Sequence, residues 1–287
     1  MVILLSLQKN KFIDKISVVI LCAGEGTRIK DLTKVIPKSL LKVEVLNNIT
    51  ILYDTINKLV SLGIKNIKIV IGHLGYKIEE FVKSLTNNNS ELKNIIQIID
   101  SGTRYKLGPL YSFLSITKSD LDQENIPVYL VIPGDTIFQE DLLNYILNIL
   151  IDNIPSIKHH PFVFYKNVQY DTLKNKFKEK IHVRISISHI EKRKENYFLK
   201  KILQKELQSL SDFEQVRYLI PVFAFSNTTI KEFIELEKKI PVTTIKEAIN
   251  LFIEGGKEIY AIKVPKEYVF YDIDEKLDIL SLNDEKK

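Results

Sequence analysis

Two cations and a glycine turn stand close together near the start of the chain. Between Ser17 and Val43 it reads SVVILCAGEGTRIKDLTKVIPKSLLKV, with Gly24 and Gly26 followed by Thr27, Arg28 and then Lys38. Glycines let a backbone approach a ligand closely and present bare N–H groups. Two cations at fixed offsets neutralise negative charge, and the ligand that suits both features is a polyphosphate. Far downstream, Asp135 follows the run VYLVI and a Pro133-Gly134 turn, so its carboxylate is expected at the same edge of a sheet as the glycine turn.

The elements that must carry these residues are legible from periodicity. Val18 to Leu21 is a buried strand by its β-branched run, ending in the small residues Ala23, Gly24 and Gly26. Ile51 to Gly63 has helical spacing at Leu52, Ile56 and Leu59, stopped by Gly63. Ile67 to Ile71 and Ile95 to Ile99 read as further strands, TNNNSELKN as a surface loop, and a helix begins near Leu110. Strands alternating with helices predict an α/β fold of three layers, Rossmann-like, with a mostly parallel mixed sheet. The later segments FVFYK, HVRISISHI, YFLKKILQK and YLIPVFAFS predict strands separated by lysine-rich turns. No Pro/Gly/Ser linker divides the halves. A single domain over 1–287 is expected, with a nucleotide-binding half over about 16–150 and an acceptor-binding half over about 151–287.

Two familiar phosphate-binding templates fail on this turn. A dinucleotide fold wants a third glycine opening a helix, where Arg28 or Ile29 stands; a P-loop wants a Gly-Lys-Ser/Thr triplet, which is absent. Neither accounts for Pro37-Lys38-Ser39-Leu40. The whole stretch resembles the signature of the sugar-1-phosphate nucleotidyltransferases, in which a strand leads to A-G-x-G-T-R and then to P-K-x-L. Ala23, Gly24, Gly26, Thr27 and Arg28 match the first part, and Pro37, Lys38 and Leu40 the second.

That resemblance implies a nucleotide-diphospho-sugar transferase fold. It also implies attack of a sugar-phosphate oxygen on the α-phosphorus of a nucleoside triphosphate, with release of pyrophosphate. Arg28 and Lys38 would act on the triphosphate. Leu21, Ala23, Gly24, Gly26, Thr27 and Gly108 would join them in holding the nucleotide, Leu21 and Ala23 through backbone groups facing the base and Gly108 by lying against it. Mg2+ is the implied cofactor, held by Asp135 and by Asp272 of the terminal YDIDEKLDIL, with Asp274 as the alternative. Lys205, in KKILQKEL, takes the place of the lysine on the acceptor phosphate, and Lys192 competes for that role. The loop SGTRYKLGPLYSF departs from the family by Pro109 and by lacking a glutamine, so the base stays open. His73 is expected to be an ordinary loop residue.

The bulk composition narrows the remaining choices. Lysine and arginine total 41 against 36 acidic residues, a net charge of +5 spread along 287 residues with no basic cluster among aromatics, which argues against nucleic acid as a partner. The single cysteine, Cys22, forms no internal disulfide and reads as a small buried hydrophobe. No apolar run approaches the ~18 residues of a membrane span. The N-terminal MVILLSLQKNKF lacks a basic leader and a cleavage site, so a cytoplasmic protein without membrane contact is expected. The sequence runs only a little beyond the Asp272 element, so the C-terminal β-helix of bifunctional relatives is not expected here. Family resemblance is compatible with a homo-oligomer. It also leaves two alternatives: a cytidylyltransferase acting on an alcohol phosphate such as inositol or choline phosphate, and a regulatory subunit that kept the fold without turnover.

Overall fold

The computed structural model describes residues 12–26, 33–87, 89–117, 128–177, 183–211 and 214–273. In chain order the strands are β1 (Ile16–Leu21), β2 (Lys42–Val43), β3 (Ile49–Thr50), β4 (Ile67–Ile71), β5 (Ile96–Asp100), β6 (Val128–Pro133), β7 (Thr136–Phe138), β8 (Phe162–Gln169), β9 (Arg184–Arg193), β10 (Asn196–Glu206), β11 (Gln215–Phe225), β12 (Tyr260–Lys263) and β13 (Phe270–Asp272). The α-helices are α1 (Ile51–Ser61), α2 (Gly75–Asn87), α3 (Ser90–Ile95), α4 (Pro109–Leu114), α5 (Glu140–Asp152), α6 (Ile154–Ile157), α7 (Tyr170–Lys176), α8 (Asn227–Lys239) and α9 (Ile245–Glu254).

Nine strands form one sheet in the order β5-β4-β1-β6-β11-β8-β12-β10-β9. The first four are parallel, with β1 between β4 and β6. Burial on both faces explains why β1 is a continuous apolar run and not an alternating one. Val18 and Ile20 turn to one layer, where Leu52, Ile56 and Leu59 of α1 pack with Leu142 and Ile146 of α5. Val19 turns to the other, against Leu110 and Phe113 of α4, Phe233 of α8 and Ile249 of α9. Each fully buried side chain of this size contributes about 1.5–3 kcal/mol. The three-layer α/β fold expected from the sequence is the one observed.

Beyond β6 the strands turn antiparallel: β11 runs against β6 and β8, and β10 against β12 and β9. Only β12 beside β8 is parallel here. β9 then bends back to meet β11 at Tyr218 and Ile187, enclosing a small core of Leu173, Ile185, Leu207 and Val216. The expected loop TNNNSELKN contains instead the short helix α3. Asn89 caps it, its Oδ1 accepting from the N–H groups of Glu91 and Leu92 at 3.0 and 3.3 Å, and Leu92 is buried beneath. Among the described residues no helix is long and apolar enough to cross a membrane.

Candidate active site

The site is built at the carboxyl edge of β1. Just past the strand the Cys22 N–H donates to the Val70 carbonyl at 2.8 Å. The Leu21 and Ala23 carbonyls accept from the N–H groups of Gly134 and His73, at 2.9 and 3.1 Å. These bonds stitch the end of β1 to the ends of β4 and β6. His73 sits in the connection after β4, as expected, and serves here through its backbone. Gly24 is open on its Cβ side. Gly26 adopts φ +62°, and a Cβ there would lie 2.8 Å from Thr33 Cγ2 and 3.1 Å from Lys38 Cγ, so both conformation and space demand glycine. Thr33 Oγ1 donates to the Gly26 carbonyl at 2.9 Å and closes the turn. Thr27 and Arg28 lie outside the described residues.

Pro37 in an extended conformation leads into a single 3-10 turn, Lys38–Leu40, which aims the lysine at the edge of the sheet. Lys38 Nζ donates to the Ile273 carbonyl at 2.9 Å and lies 3.3 Å from Asp135 Oδ2. Its side chain is 12% exposed, against 29% for Asp135. The two partners belong to one ribbon. β7 and β13 pair antiparallel with Asp272 opposite Thr136, and the Ile273 N–H donates to the Asp135 carbonyl at 3.1 Å. Thr136 Oγ1 donates to Asp272 Oδ1 at 2.9 Å. A small apolar cluster of Leu41, Val43, Ile51, Ile137 and Ile273 fastens this ribbon to the segment after Lys38. Asp135 and Asp272, far apart in sequence, are thus brought to neighbouring positions. Asp274 lies outside the described residues. Among those described, no group of three or more His, Cys, Asp or Glu side chains converges. Two carboxylates completed by substrate phosphates are nonetheless a donor set that suits Mg2+.

Leu21, Gly24, Gly26, Lys38, Ser39 and Asp135 line a cleft of about 70 Å³. Gly134 and Cys22 also border it; a Cβ on Gly134 would overlap the Cys22 sulfur and approach the Leu21 carbonyl to 3.0 Å. Burial pushes the Cys22 thiol up to about 12. Asp135 adds to the rise and the Ser39 hydroxyl tempers it. Cys22 is therefore a neutral, buried group, as its surroundings in the sequence predict. Sequence reasoning did not single out Ser39, Gly134, Thr136 or the Ile273 carbonyl. The one available signal was that Ser39 and Gly134 adjoin residues already chosen.

Other expected residues are dispersed. Gly108 caps α4 at φ +125°, and a Cβ there would meet the Thr243 carbonyl at 2.5 Å. The space on that side of Gly108 is filled by Thr243, whose carbonyl also accepts the Leu110 N–H at 3.0 Å. In the same loop the Tyr105 ring covers Gly72, where a Cβ would come within 2.7 Å of it. Lys205 is exposed near the end of β10, opposite Ile185, and no contact described here joins it to the cleft. Lys192 is exposed on β9, its Nζ 5.7 Å from the Tyr197 ring centroid.

Comparison with known proteins adds independent information. Residues 17–151 match the family model described as nucleotidyl transferase. The bifunctional protein GlmU of Methanococcus aeolicus is 35% identical over 136 residues, 47% of this chain and 28% of the relative. A 2-aminoethylphosphonate cytidylyltransferase of Lancefieldella rimae is 38% identical over 66 residues, 23% of this chain and 26% of the relative. The matches thus span under a third of either curated relative. Among solved structures, UDP-glucose pyrophosphorylase in complex with UDP-glucose superposes with a TM-score of 0.67 at 15% identity, covering 94% of this chain and 97% of that one. The fold is that of the nucleotide-diphospho-sugar transferases.

Proposed function

Because residues 17–151 match the nucleotidyl transferase family model, we propose that the chain joins a nucleoside triphosphate to a sugar 1-phosphate. An acceptor phosphate oxygen attacks the α-phosphorus, one P–O bond forms, the bond to the bridging oxygen breaks, and pyrophosphate leaves. Both reactants are anions, so catalysis consists of holding them in line and neutralising charge.

The observation that carries this reading is the fixation of Lys38 beside the glycine turn. Its ammonium is held by the Ile273 carbonyl and Asp135 in a cleft also lined by Gly24 and Gly26. A phosphate entering there meets a cation whose position is already set, and charge building on the α-phosphoryl group is offset without rearrangement. The role proposed for Arg28 is to grip the triphosphate through its fork, and for Lys205 to meet the acceptor phosphate. Asp135 and Asp272 would hold Mg2+, which supplies further neutralisation of the phosphates when bound. Thr136 orients Asp272 through its hydroxyl.

The cytidylyltransferase among the relatives favours a second reading, in which the acceptor is an alcohol phosphate or a phosphonate. One assay separates the two readings. Pyrophosphate release is measured with each of the four nucleoside triphosphates against sugar 1-phosphates, choline phosphate, inositol phosphate and 2-aminoethylphosphonate. Release with one sugar 1-phosphate, abolished by Lys38→Ala, supports the first reading. Release with CTP and an alcohol phosphate or the phosphonate replaces it with the second. No release with any pair overturns both and leaves the regulatory subunit.

A further inference from the structure

Ser39 is 3% exposed, and its Oγ has no hydrogen-bond partner among the described residues. Buried hydroxyls are normally satisfied, and an orphan calls for an explanation. The fold itself offers little: Ser39 is near enough to Cys22 to influence its thiol, but the pair makes no hydrogen bond of normal geometry. A thiol is in any case a weak partner. Leu40 and Leu41, which follow in the chain, pack into apolar clusters, so an alanine at position 39 would fill the place at lower polar cost. The residue nevertheless lines the cleft that holds Lys38, Gly24 and Gly26, with its Oγ buried just beneath the surface. What it lacks is an oxygen acceptor, and the cleft is where the proposed substrate would bring one.

We propose that Ser39 Oγ is a ligand contact, donating to a non-bridging phosphate oxygen of the bound triphosphate and of the pyrophosphate released from it. This rests on the nucleotidyltransferase reading. Lys38 supplies charge without direction, because an ammonium accepts many approach geometries. The hydroxyl one residue on adds a directional bond that selects one placement of the phosphate chain. Its orphaned state is relieved only when the site is filled, so part of the gain from that bond appears as binding.

The test compares wild type with Ser39→Ala in two measurements on the full chain. One is the melting temperature without ligand; the other is calorimetric binding of pyrophosphate and of the four nucleoside triphosphates, each with Mg2+. A contact made only to ligand predicts an unliganded melting temperature equal to or above that of wild type. It also predicts binding of pyrophosphate and triphosphate weakened about tenfold or more, as for hydrogen bonds to charged groups. Binding within about twofold of wild type overturns the proposal. So does a lowered melting temperature or a variant that does not fold, because the hydroxyl would then be holding the free protein, directly or through a buried water. Wild type that binds neither pyrophosphate nor any triphosphate fails differently: it overturns the nucleotidyltransferase reading, and this contact with it.

Discussion

Lys38 Nζ donates to the Ile273 carbonyl at 2.9 Å across 235 positions of sequence, and lies 3.3 Å from Asp135 Oδ2. The cation behind the glycine turn is therefore positioned by a strand that arrives near the other end of the chain. Its hydrogen-bond acceptor is backbone, which does not swing between rotamers, and the ribbon β7–β13 keeps that backbone in register. A charge held in this way needs little reorganisation when substrate charge develops beside it.

Lys38→Ala is expected to lower turnover by about 10²–10³, the range seen when one preorganised donor to a transition-state anion is removed. Pyrophosphate release under saturating substrate is the measurement. Turnover within a factor of about two of wild type would show that the ammonium does not serve the reaction.

Asp272→Asn and Thr136→Val should act on the same quantity to different degrees. The first removes a proposed carboxylate ligand; the second removes the hydroxyl that orients it, which typically costs about 10–100-fold in metal affinity. Titrating Mg2+ into the activity assay should shift the half-maximal concentration upward in both, more for Asp272→Asn. An unshifted curve for Asp272→Asn would move the metal away from this residue.

Gly134→Ala should destabilise the protein by about 1–3 kcal/mol, because its Cβ would overlap the Cys22 sulfur. That corresponds to roughly 2–4 °C in melting temperature per kcal/mol for a chain somewhat smaller than this one. Adding Cys22→Ala empties the contested space, so the double variant should lose less than the sum of the two single losses. Strict additivity would mean that the two residues do not meet.

Cys22 gives a pH dependence with a definite sign. Its thiol is raised from 9.0 to about 12 in the fold, chiefly by burial, so the unfolded chain loses that proton first. The contribution of this group is intact below pH 9 and is lost as the pH rises from 9 toward 12, by up to about 1.4 kcal/mol per pH unit. Urea denaturation at about pH 8 and about pH 10 should show wild type losing more stability over that interval than Cys22→Ala, which has no thiol to titrate. Equal losses would place the thiol in a more solvated setting.

The parallel half of the fold was readable because each strand is buried on both faces and each helix on one, so periodicity carries the information directly. β1 with its glycine turn, Asp135 after β6 and the helix at Ile51 all follow from it. The antiparallel closure of β9 onto β11 did not, since it depends on a bend and on long-range pairing that local pattern does not encode. The helix α3 was hidden in a polar run because its main determinant is one capping side chain, Asn89. Lys38 and the two aspartates, which the structure brings near one another, are candidates that spacing and resemblance name. The carbonyl of Ile273 is not among them, because a backbone acceptor leaves no mark in residue type. Ser39 was passed over for a related reason: a small polar residue in a turn looks ordinary until its burial is known.

The pairing of β7 with β13 also sets an order of events during synthesis. The strands β5, β4, β1 and β6, the glycine turn and Lys38 are all present once Asp135 has been translated, yet the carbonyl that holds the lysine belongs to Ile273. A nascent chain can therefore complete its parallel sheet and every described residue that lines the cleft while the acceptor that fixes Lys38 is still to be made. Only when Ile273, which follows the strand β13, has left the ribosome does the ammonium acquire its final place, so the site matures 235 positions after the lysine itself is made.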